Sequence, residues 1–456
     1  MTTKPPHPTH PPRSDLADLW PLDPGVVFLN HGSYGACLRT VLDAQRAHRD
    51  RMEAEPVAFF ARGMHEGLDR SRGAIAGLLG GEAEDYVFVP NATTGVATIL
   101  DNAARGLGMP TRRPLQPGDE VLALTHEYPA CKHNLRRIAE RSGASVRTIP
   151  MPLPPDGSAA DPGSGDSEDR ALDADALVEA IMGAVTARTR LALLSQITSP
   201  SGVVVPIERV APMLEEAGVC VVVDGAHGPG AVPFDVPSLG APFYTANCHK
   251  WLGAPKGAAI VWVRRDLQAE FRPLVLSNDA EAASGRGGRS KFNTEFDHVG
   301  TADPTAWLSV ADAIEALPNA TGLDWPGIMA ANRTLALRAR DLLCEAVGVR
   351  APVADELLGP MAMVPLPRMD VGARTAHAER PTAYADPLQD ALVERHGVQV
   401  PVWRSSSFAG GPFDGRRFVR VSAQRYNTEA QYAYLGEALA AELERESAGA
   451  RAAAGC

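Results

Sequence analysis

Two periodicities of apolar and polar positions alternate along the chain and predict strands and helices in turn. Short apolar runs, such as residues 86–89 and 219–224, are typical of strands buried on both faces. Stretches with helical spacing follow them, for example residues 96–105 and 208–217. This alternation predicts an α/β fold with a mainly parallel sheet between helices, and ligands of such sheets bind at the carboxyl ends of the strands. The run 258–263 is expected to join the sheet in the opposite direction.

The length of 456 residues predicts more than one lobe, because single cores stop growing near ~250–300 residues. We expect a flexible tail over residues 1–24, a large domain over 25–303 and a smaller C-terminal α/β domain over 304–448, with the N-terminal segment packing near the smaller domain, followed by a tail over 449–456. The beginning of the chain is rich in Pro, His and Thr and resembles no secretory signal, so a cytoplasmic location is expected.

Composition excludes several classes of function. The apolar fraction is 45%, the charged fraction is 22% and no apolar run approaches the length of a membrane span. A net charge of −11 disfavours binding to nucleic acid. Six cysteines are scattered without a CxxC pair, which argues against a disulfide framework and against a metal site.

Candidate chemistry is concentrated in two segments. Asp224 follows a strand-like apolar run and precedes Gly225, and Lys250 lies in the sequence Tyr-Thr-Ala-Asn-Cys-His-Lys-Trp-Leu-Gly over residues 244–253. Pyridoxal 5'-phosphate needs a lysine amine for covalent attachment and an acidic partner that keeps its ring nitrogen protonated. Taken alone, Asp224 could equally form an Asp-Gly turn, and Lys250 could be a surface lysine.

Further sequence motifs decide between these interpretations. They are Phe-Leu-Asn-His-Gly-Ser-Tyr-Gly over residues 28–35, Val-Gly-Thr-Ala-Asp over 299–303 and Val-Arg-Val-Ser over 419–422. With the two segments above, the chain resembles the class V aminotransferase-like enzymes of fold type I, in the isopenicillin N epimerase-like subgroup. This resemblance implies a pyridoxal phosphate-dependent transferase fold with a seven-stranded-type sheet, and a homodimer with shared active sites.

The resemblance also implies roles for individual residues. Lys250 would be the Schiff-base lysine and the base for the substrate α-proton, Asp224 the partner of the ring nitrogen, and Tyr128 the aromatic ring stacked on the cofactor. His227 would contact the ring oxygen or nearby atoms. The cofactor-binding set is Ala92, Thr93, Tyr128, Ser199, Asp224, His227, Thr245, His249, Lys250 and Thr301, in which Thr301 would come from the neighbouring subunit.

The predicted substrate contacts come from both ends of the chain. Asn30 and His31 would approach from the N-terminal segment, and Arg420 would bind the α-carboxylate through its planar guanidinium. Arg404 and Arg417 could share or replace that role. Ser199 departs from the asparagine that is frequent at this position in class V enzymes, which weakens its predicted ring contact.

The resemblance leaves the reaction open, because the cofactor alone does not select which bond breaks. We expect C–S β-elimination on a cysteine S-conjugate, in secondary metabolism such as antibiotic biosynthesis. Amino-acid epimerisation, decarboxylation coupled to oxidative deamination, and transamination are the enzymatic alternatives. The non-enzymatic alternative is an effector-sensing domain, which is disfavoured because no helix-turn-helix precedes the fold and because Lys250 and Asp224 are both present.

Overall fold

A computed structural model describes residues 10–154, 171–281, 288–367, 382–384, 386–404 and 416–454. Most of the Pro-, Gly-, Asp- and Ser-rich stretch 152–170, and the middle of the Gly- and Ser-rich stretch 274–298, lie outside these residues. The strands are β1 (Val27–Phe28), β2 (Tyr86–Val89), β3 (Glu120–Leu124), β4 (Ser145–Ile149), β5 (Thr189–Ser195), β6 (Cys220–Asp224), β7 (Phe243–Asn247), β8 (Ala259–Val263), β9 (Met361–Pro365), β10 (Val398–Gln399), β11 (Val402–Arg404) and β12 (Arg417–Ser422).

Helices surround and connect these strands. They are α1 (His31–Tyr34), α2 (Arg39–Ala54), α3 (Pro56–Ala58), α4 (Met64–Leu79), α5 (Ala92–Ala104), α6 (Pro129–Ser142), α7 (Ala174–Gly183), α8 (Ile207–Glu216), α9 (Lys291–Asp297), α10 (Thr305–Leu308), α11 (Val310–Thr321), α12 (Trp325–Val347), α13 (Pro387–His396) and α14 (Glu429–Ala454). Among the described helices, none is both long and apolar enough to cross a membrane.

The central sheet has seven strands in the order β2-β8-β7-β6-β5-β3-β4. Strands β3 to β7 run parallel to one another, and β8 is antiparallel to its neighbours β2 and β7. Every residue of β6, β7 and β8 is buried, as expected for strands covered by helices on both faces. The predicted α/β fold and the reversed direction of the strand near residue 260 are confirmed.

A second sheet, β11-β12-β9, is antiparallel and belongs to the C-terminal part of the chain. Strand β1 pairs with β10, so the N-terminal segment joins this part rather than the central sheet. The expected flexible tail over residues 1–24 is wrong in its second half. Trp20 is buried, and its ring packs edge-on against Tyr426 with a centroid distance of 5.1 Å. Hydrophobic burial therefore fixes the chain before β1.

Two glycines allow the N-terminal segment to approach the lysine loop and the second sheet. At Gly35, with φ of +69°, a Cβ atom would lie 2.0 Å from the carbonyl oxygen of His249. At Gly32, a Cβ atom would lie 2.4 Å from the sulfur of Met361. No other residue fits such gaps without a shift of backbone or core, so these glycines bring the two halves of the molecule together at the site.

Candidate active site

A cavity of about 240 Å³ lies at the carboxyl ends of β5, β6 and β7, where a parallel sheet places its ligands. The strand ends contribute Ser195, Asp224 and Asn247. The full lining is Ser33, Tyr34, Asn91, Ala92, Thr93, Tyr128, Cys131, Ser195, Ile197, Ser199, Asp224, Ala226, His227, Asn247, His249, Lys250 and Trp403. Eight predicted cofactor residues thus meet in one cavity: Ala92, Thr93, Tyr128, Ser199, Asp224, His227, His249 and Lys250.

Lys250 is buried in the loop after β7, and its side chain contacts an imidazole. Its Nζ lies 3.0 Å from Nε2 of His227. The indole Nε1–H of Trp251 donates to Nδ1 of the same ring at 3.4 Å. Burial lowers the pKa of Lys250 to about 8, and burial also lowers the pKa of His227 well below its ordinary value. The lysine therefore has access to the neutral amine that covalent chemistry requires.

Asp224 ends β6 as a carboxylate buried without a cation at ion-pair distance among the described residues. Its Oδ2 accepts a hydrogen bond from the Cys131 thiol at 3.2 Å, and its Oδ1 accepts one from the amide of Ala226 at 3.0 Å. Burial raises the pKa of Asp224, opposed by these two hydrogen bonds and by the attraction of Lys250. A cationic N–H group in the cavity would satisfy this carboxylate.

The N-terminus of α5 supplies an anion site on one side of the cavity. Asn91 caps the helix by accepting from the amide of Thr94 at 2.9 Å. The amide of Ala92 donates to Oδ1 of Asn247 at 2.8 Å, so it is already used. The amide and hydroxyl of Thr93 remain available to a ligand, at the end of the helix where the dipole favours a phosphate.

His249 borders the same anion site. Its Nδ1–H donates to the carbonyl of Ala258 at 3.0 Å, which leaves Nε2 as the nitrogen that can meet a ligand. Burial lowers the pKa of His249 to about 4. In this tautomer, Nε2 can donate to a phosphate only when the ring is protonated, so a bound dianion would favour the imidazolium.

Arg420 is the buried guanidinium that faces the site from β12. Its Nη1 donates to the carbonyl of Ser199 at 2.6 Å, and its Nη2 donates to Oδ1 of Asn30 and to Oγ of Ser33, both at 2.8 Å. No carboxylate lies at ion-pair distance within the described chain, and burial lowers the pKa of Arg420 to about 10. A substrate carboxylate would supply the missing negative charge.

The other predicted arginines have carboxylate partners. Nε of Arg404 lies 2.8 Å from Oδ2 of Asp386. Arg417 pairs with Asp386 at 3.1 Å and with Glu446 at 2.6 Å. The alternative substrate role of these two arginines is therefore not supported by the geometry. Arg420 is the arginine of this group that remains for a ligand.

Three other predicted contacts are displaced from the cavity. Both ring nitrogens of His31 are used, because Nε2–H donates to the Lys250 carbonyl at 3.1 Å and Nδ1 accepts from the Tyr426 hydroxyl at 2.8 Å. His31 thus supports the lysine loop instead of contacting a substrate. Thr245 donates its hydroxyl to the carbonyl of Ile260 at 2.7 Å and does not line the cavity. Thr301 is exposed and lines a separate groove.

Several residues of the site have no clear signal in the sequence. Asn247 and Cys131 are ordinary strand and helix residues until the fold places them in the cavity. Glu127 is buried behind β3, where the amide of Ser195 donates to its Oε1 at 3.0 Å, and burial raises its pKa to about 8. Ser33 stands in a quoted motif, yet its bond to Arg420 depends on the approach of two distant segments.

The residues present fit pyridoxal 5'-phosphate. The buried carboxylate of Asp224, the amine of Lys250 and the α5 N-terminus with Thr93 and His249 match its ring nitrogen, aldehyde and phosphate in chemical type. Tyr128 lies at the cavity wall with 42% of its surface exposed, as a ring that can stack on a flat ligand.

Comparisons with known proteins agree with this interpretation. The family model described as aminotransferase class-V matches residues 37–371. The chain is 31% identical over 427 residues to isopenicillin N epimerase from Amycolatopsis lactamdurans, covering 92% of this chain and 95% of that protein. It is 28% identical over 432 residues to L-cysteine desulfhydrase from Arabidopsis thaliana, covering 91% and 87%.

A solved structure shows the same fold. The crystal structure of the cysteine desulfurase CsdA from Escherichia coli matches with a TM-score of 0.70 at 20% identity, and the match covers 94% of this chain and 97% of that chain. At this identity the likeness concerns the fold alone. It agrees with the central sheet and the second, smaller sheet described above.

Proposed function

The chain belongs to the aminotransferase class-V family of pyridoxal phosphate-dependent enzymes, and from this premise we propose that it is a C–S lyase acting on cysteine or a cysteine S-conjugate. The observation that carries the proposal is that Lys250, whose pKa burial lowers to about 8, lines the cavity, while the buried Arg420 has no carboxylate partner in the described chain and donates to the cavity residues Ser33 and Ser199. Together they provide a base for the α-proton and a binding group for the α-carboxylate of an amino acid.

Each of these residues would have a defined task. Arg420 would hold the α-carboxylate, with Asn30 and Ser33 keeping its guanidinium in place. Asp224 would hold the ring nitrogen of the cofactor in its protonated form. When bound, pyridoxal phosphate supplies an electron sink that stabilises negative charge at the α-carbon. Lys250 would remove the α-proton as an amine.

In the proposed reaction the Cα–H bond and the Cβ–S bond of the substrate break. The sulfur leaves with the electron pair of its bond and takes up a proton, which yields hydrogen sulfide or a thiol. Water then converts the remaining three-carbon unit to pyruvate and ammonia. No oxidant is needed, and one base at the α-carbon is sufficient, whereas epimerisation also needs an acid on the opposite face.

The relatives support two members of this group of reactions. One is an L-cysteine desulfhydrase and another an isopenicillin N epimerase, at 28% and 31% identity. Among the described cysteines, Cys131 lines the cavity, where its thiol donates to Asp224 and burial raises its pKa well above the ordinary value, and the other four are buried away from the cavity lining; this favours release of the sulfur over its transfer to a protein thiol. We therefore place elimination first and amino-acid epimerisation second.

A second copy of the chain would complete the site. Thr301 lies in an exposed groove with Pro56, Phe60 and other residues, away from Lys250. Leu274, Val275 and Leu276, which precede the groove residue Asn278 in the chain, keep 45%, 58% and 61% of their surface exposed, which is typical of an interface. We propose a homodimer in which Thr301 reaches the phosphate of the neighbouring subunit.

The proposal is tested with purified protein loaded with pyridoxal phosphate. We expect a visible absorption band that is absent in Lys250→Ala and retained in Lys291→Ala, a control at a partly exposed lysine that does not line the cavity. With L-cysteine and a panel of S-conjugates in deuterated water, we expect release of thiol, pyruvate and ammonia.

Other products would select other reactions. Deuterium at the α-carbon of intact, inverted substrate would assign epimerisation, and carbon dioxide release with oxygen uptake would assign oxidative decarboxylation. Transfer of the substrate amino group to an added keto acid would assign transamination. Absence of the absorption band in the wild type would contradict an enzyme of this class.

A further inference from the structure

Trp251, the residue after Lys250, forms a hydrogen bond with the ring of His227 that bears on the tautomer of that ring. The indole Nε1–H lies 3.4 Å from Nδ1 of His227, with the hydrogen pointing at that nitrogen. An indole nitrogen can only donate. Nδ1 must therefore accept, so a neutral His227 carries its hydrogen on Nε2.

This tautomer determines which form of Lys250 fits beside it. Nε2 of His227 lies 3.0 Å from Nζ of Lys250, and an Nε2–H group needs an acceptor at that distance. An ammonium group has no lone pair, whereas a neutral amine has one. A charged Lys250 would need an unprotonated Nε2, which would move the hydrogen to Nδ1 and set two donors, Nδ1–H and the indole N–H, against each other.

We propose that Trp251 is a positioning residue, which fixes His227 as the Nε2–H tautomer and thereby favours the neutral amine of Lys250. The inference concerns the cofactor-free protein. It rests on the proposed function only in that Lys250 would use its neutral amine to bind the cofactor. A neutral amine carries the lone pair with which a lysine attacks an aldehyde carbon. The same Nε2–H is the donor that His227 could offer to a ring oxygen of pyridoxal phosphate.

Other groups around Lys250 and His227 either favour or disfavour a charged Lys250. The carboxylate of Asp224 favours a charged Lys250, and Arg420 disfavours it. The thiol of Cys131 is a minor influence and stays protonated, because burial raises its pKa well above the ordinary value.

His31 packs against the indole, with a centroid distance of 4.8 Å from the Trp251 ring. It donates to the Lys250 carbonyl and does not contact Nζ, so it helps to hold the loop in place. His249 faces His227 but directs Nδ1 to the Ala258 carbonyl. Among the described residues, His227 is thus the one whose hydrogen bond to Nζ of Lys250 depends on its tautomer.

The test measures the titration of Lys250 in cofactor-free protein. A small amine-reactive reagent is applied over a range of pH, and the modified fraction of Lys250 is read by peptide mass analysis. Trp251→Phe keeps an aromatic ring in the buried position and removes the donor. We expect the midpoint of labelling to rise by about half to one pH unit, a roughly three- to tenfold drop in labelling below the midpoint.

A matched control is Trp325→Phe, which also removes a buried indole donor, in that case from the Ile314 carbonyl at 3.1 Å. It should leave the midpoint of Lys250 unchanged. In a His227→Gln background, Trp251→Phe should add no further shift, because the tautomer on which Trp251 acts is gone. An unchanged midpoint in Trp251→Phe, or an equal shift in both backgrounds, would overturn the proposal.

If Trp251→Phe does not fold, the wild-type protein still decides. Nitrogen-15 spectra of histidine-labelled, cofactor-free protein should show His227 as the Nε2–H tautomer, and an Nδ1–H tautomer would refute the inference. Neither readout depends on turnover. Failure of the proposed lyase would appear instead as a missing cofactor band or missing thiol release, with the titration unaffected.

Discussion

Two groups of charged residues at and around β12 differ in whether the protein itself neutralises their charges. On one side, Arg417 bonds to Asp386 at 3.1 Å and to Glu446 at 2.6 Å, and Arg404 bonds to Asp386 at 2.8 Å. We call this group the paired cluster. Each of its two arginines has at least one carboxylate at hydrogen-bonding distance, and the ion pairs link α13, α14 and the second sheet.

On the other side, Arg420 and Asp224 are buried near the Lys250 amine, and neither forms an ion pair within the described chain. Burial of such groups is costly unless a partner compensates. This difference indicates which charges stabilise the fold and which are available to bind ligands. Removing a member of the paired cluster should destabilise the protein, whereas removing a cavity charge should impair function at little cost to folding.

The largest expected effect comes from Asp224→Asn. We expect kcat to fall by about 10²- to 10³-fold, because an amide cannot hold the ring nitrogen of the cofactor in its charged form. The free energy of unfolding of cofactor-free protein should change by less than about 1 kcal/mol, since an uncompensated carboxylate is removed and its oxygen can still accept from Ala226. Chemical denaturation and steady-state kinetics provide the two measurements.

The matched control is Asp386→Asn in the paired cluster. It should cost about 3 kcal/mol of stability because it weakens the partner of two arginines, and it should leave kcat within about threefold. A large stability loss in Asp224→Asn, with activity retained, would reverse the comparison.

A second prediction compares two arginines on the same strand. Arg420→Lys should raise KM for an amino-acid substrate by about 100-fold with little change in stability, because the planar bidentate donor is lost. Arg417→Lys should lower the free energy of unfolding by about 2 kcal/mol and leave KM unchanged. Equal effects of the two variants on KM would show that the carboxylate is bound elsewhere.

A third prediction concerns pH. Burial raises the pKa of Glu127 to about 8, whereas an unfolded glutamate titrates near ~4.3. Between these values the unfolded chain has lost the proton that the folded chain keeps. Stability therefore falls as pH rises through this window, by up to about 1.4 kcal/mol per pH unit from this residue.

Glu127→Gln tests this slope directly. Unfolding free energies of both proteins at pH 5, 6 and 7 should converge as pH falls and separate as pH rises, with the variant losing less stability. Parallel curves for the two proteins would mean that Glu127 is ionised in the folded state.

The sequence predicted the central sheet well because its signals are local. Apolar runs mark β6, β7 and β8, and the motifs around Asp224 and Lys250 fall at strand ends where a parallel sheet collects its ligands. The early tail was predicted less well. Trp20 is buried by Tyr426, a residue more than 400 positions later, and no local pattern reports such a contact.

Within the site, the sequence predicts which residues lie near the cavity but not which hydrogen-bond partners they have. His31, Thr245 and Ala92 lie near the site, yet their polar groups are used by Tyr426, Ile260 and Asn247. Hydrogen-bond partners from distant segments decide whether a polar group is free for a ligand. The choice among Arg404, Arg417 and Arg420 also depends on which carboxylates the fold brings near.

The smallest expected effect is that of Arg404→Gln, at the edge of the paired cluster. The side chain of Arg404 is 27% exposed, and after its removal Asp386 still accepts from Arg417 and from the amide of Leu388 at 3.0 Å. We expect a stability loss of at most about 1 kcal/mol, in the range of a partly solvated ion pair, and kcat/KM within about twofold of the wild type. Kinetics with an amino-acid substrate check this. A KM increase as large as that of Arg420→Lys would assign Arg404 to the substrate carboxylate and remove the distinction between paired charges and charges available to bind ligands.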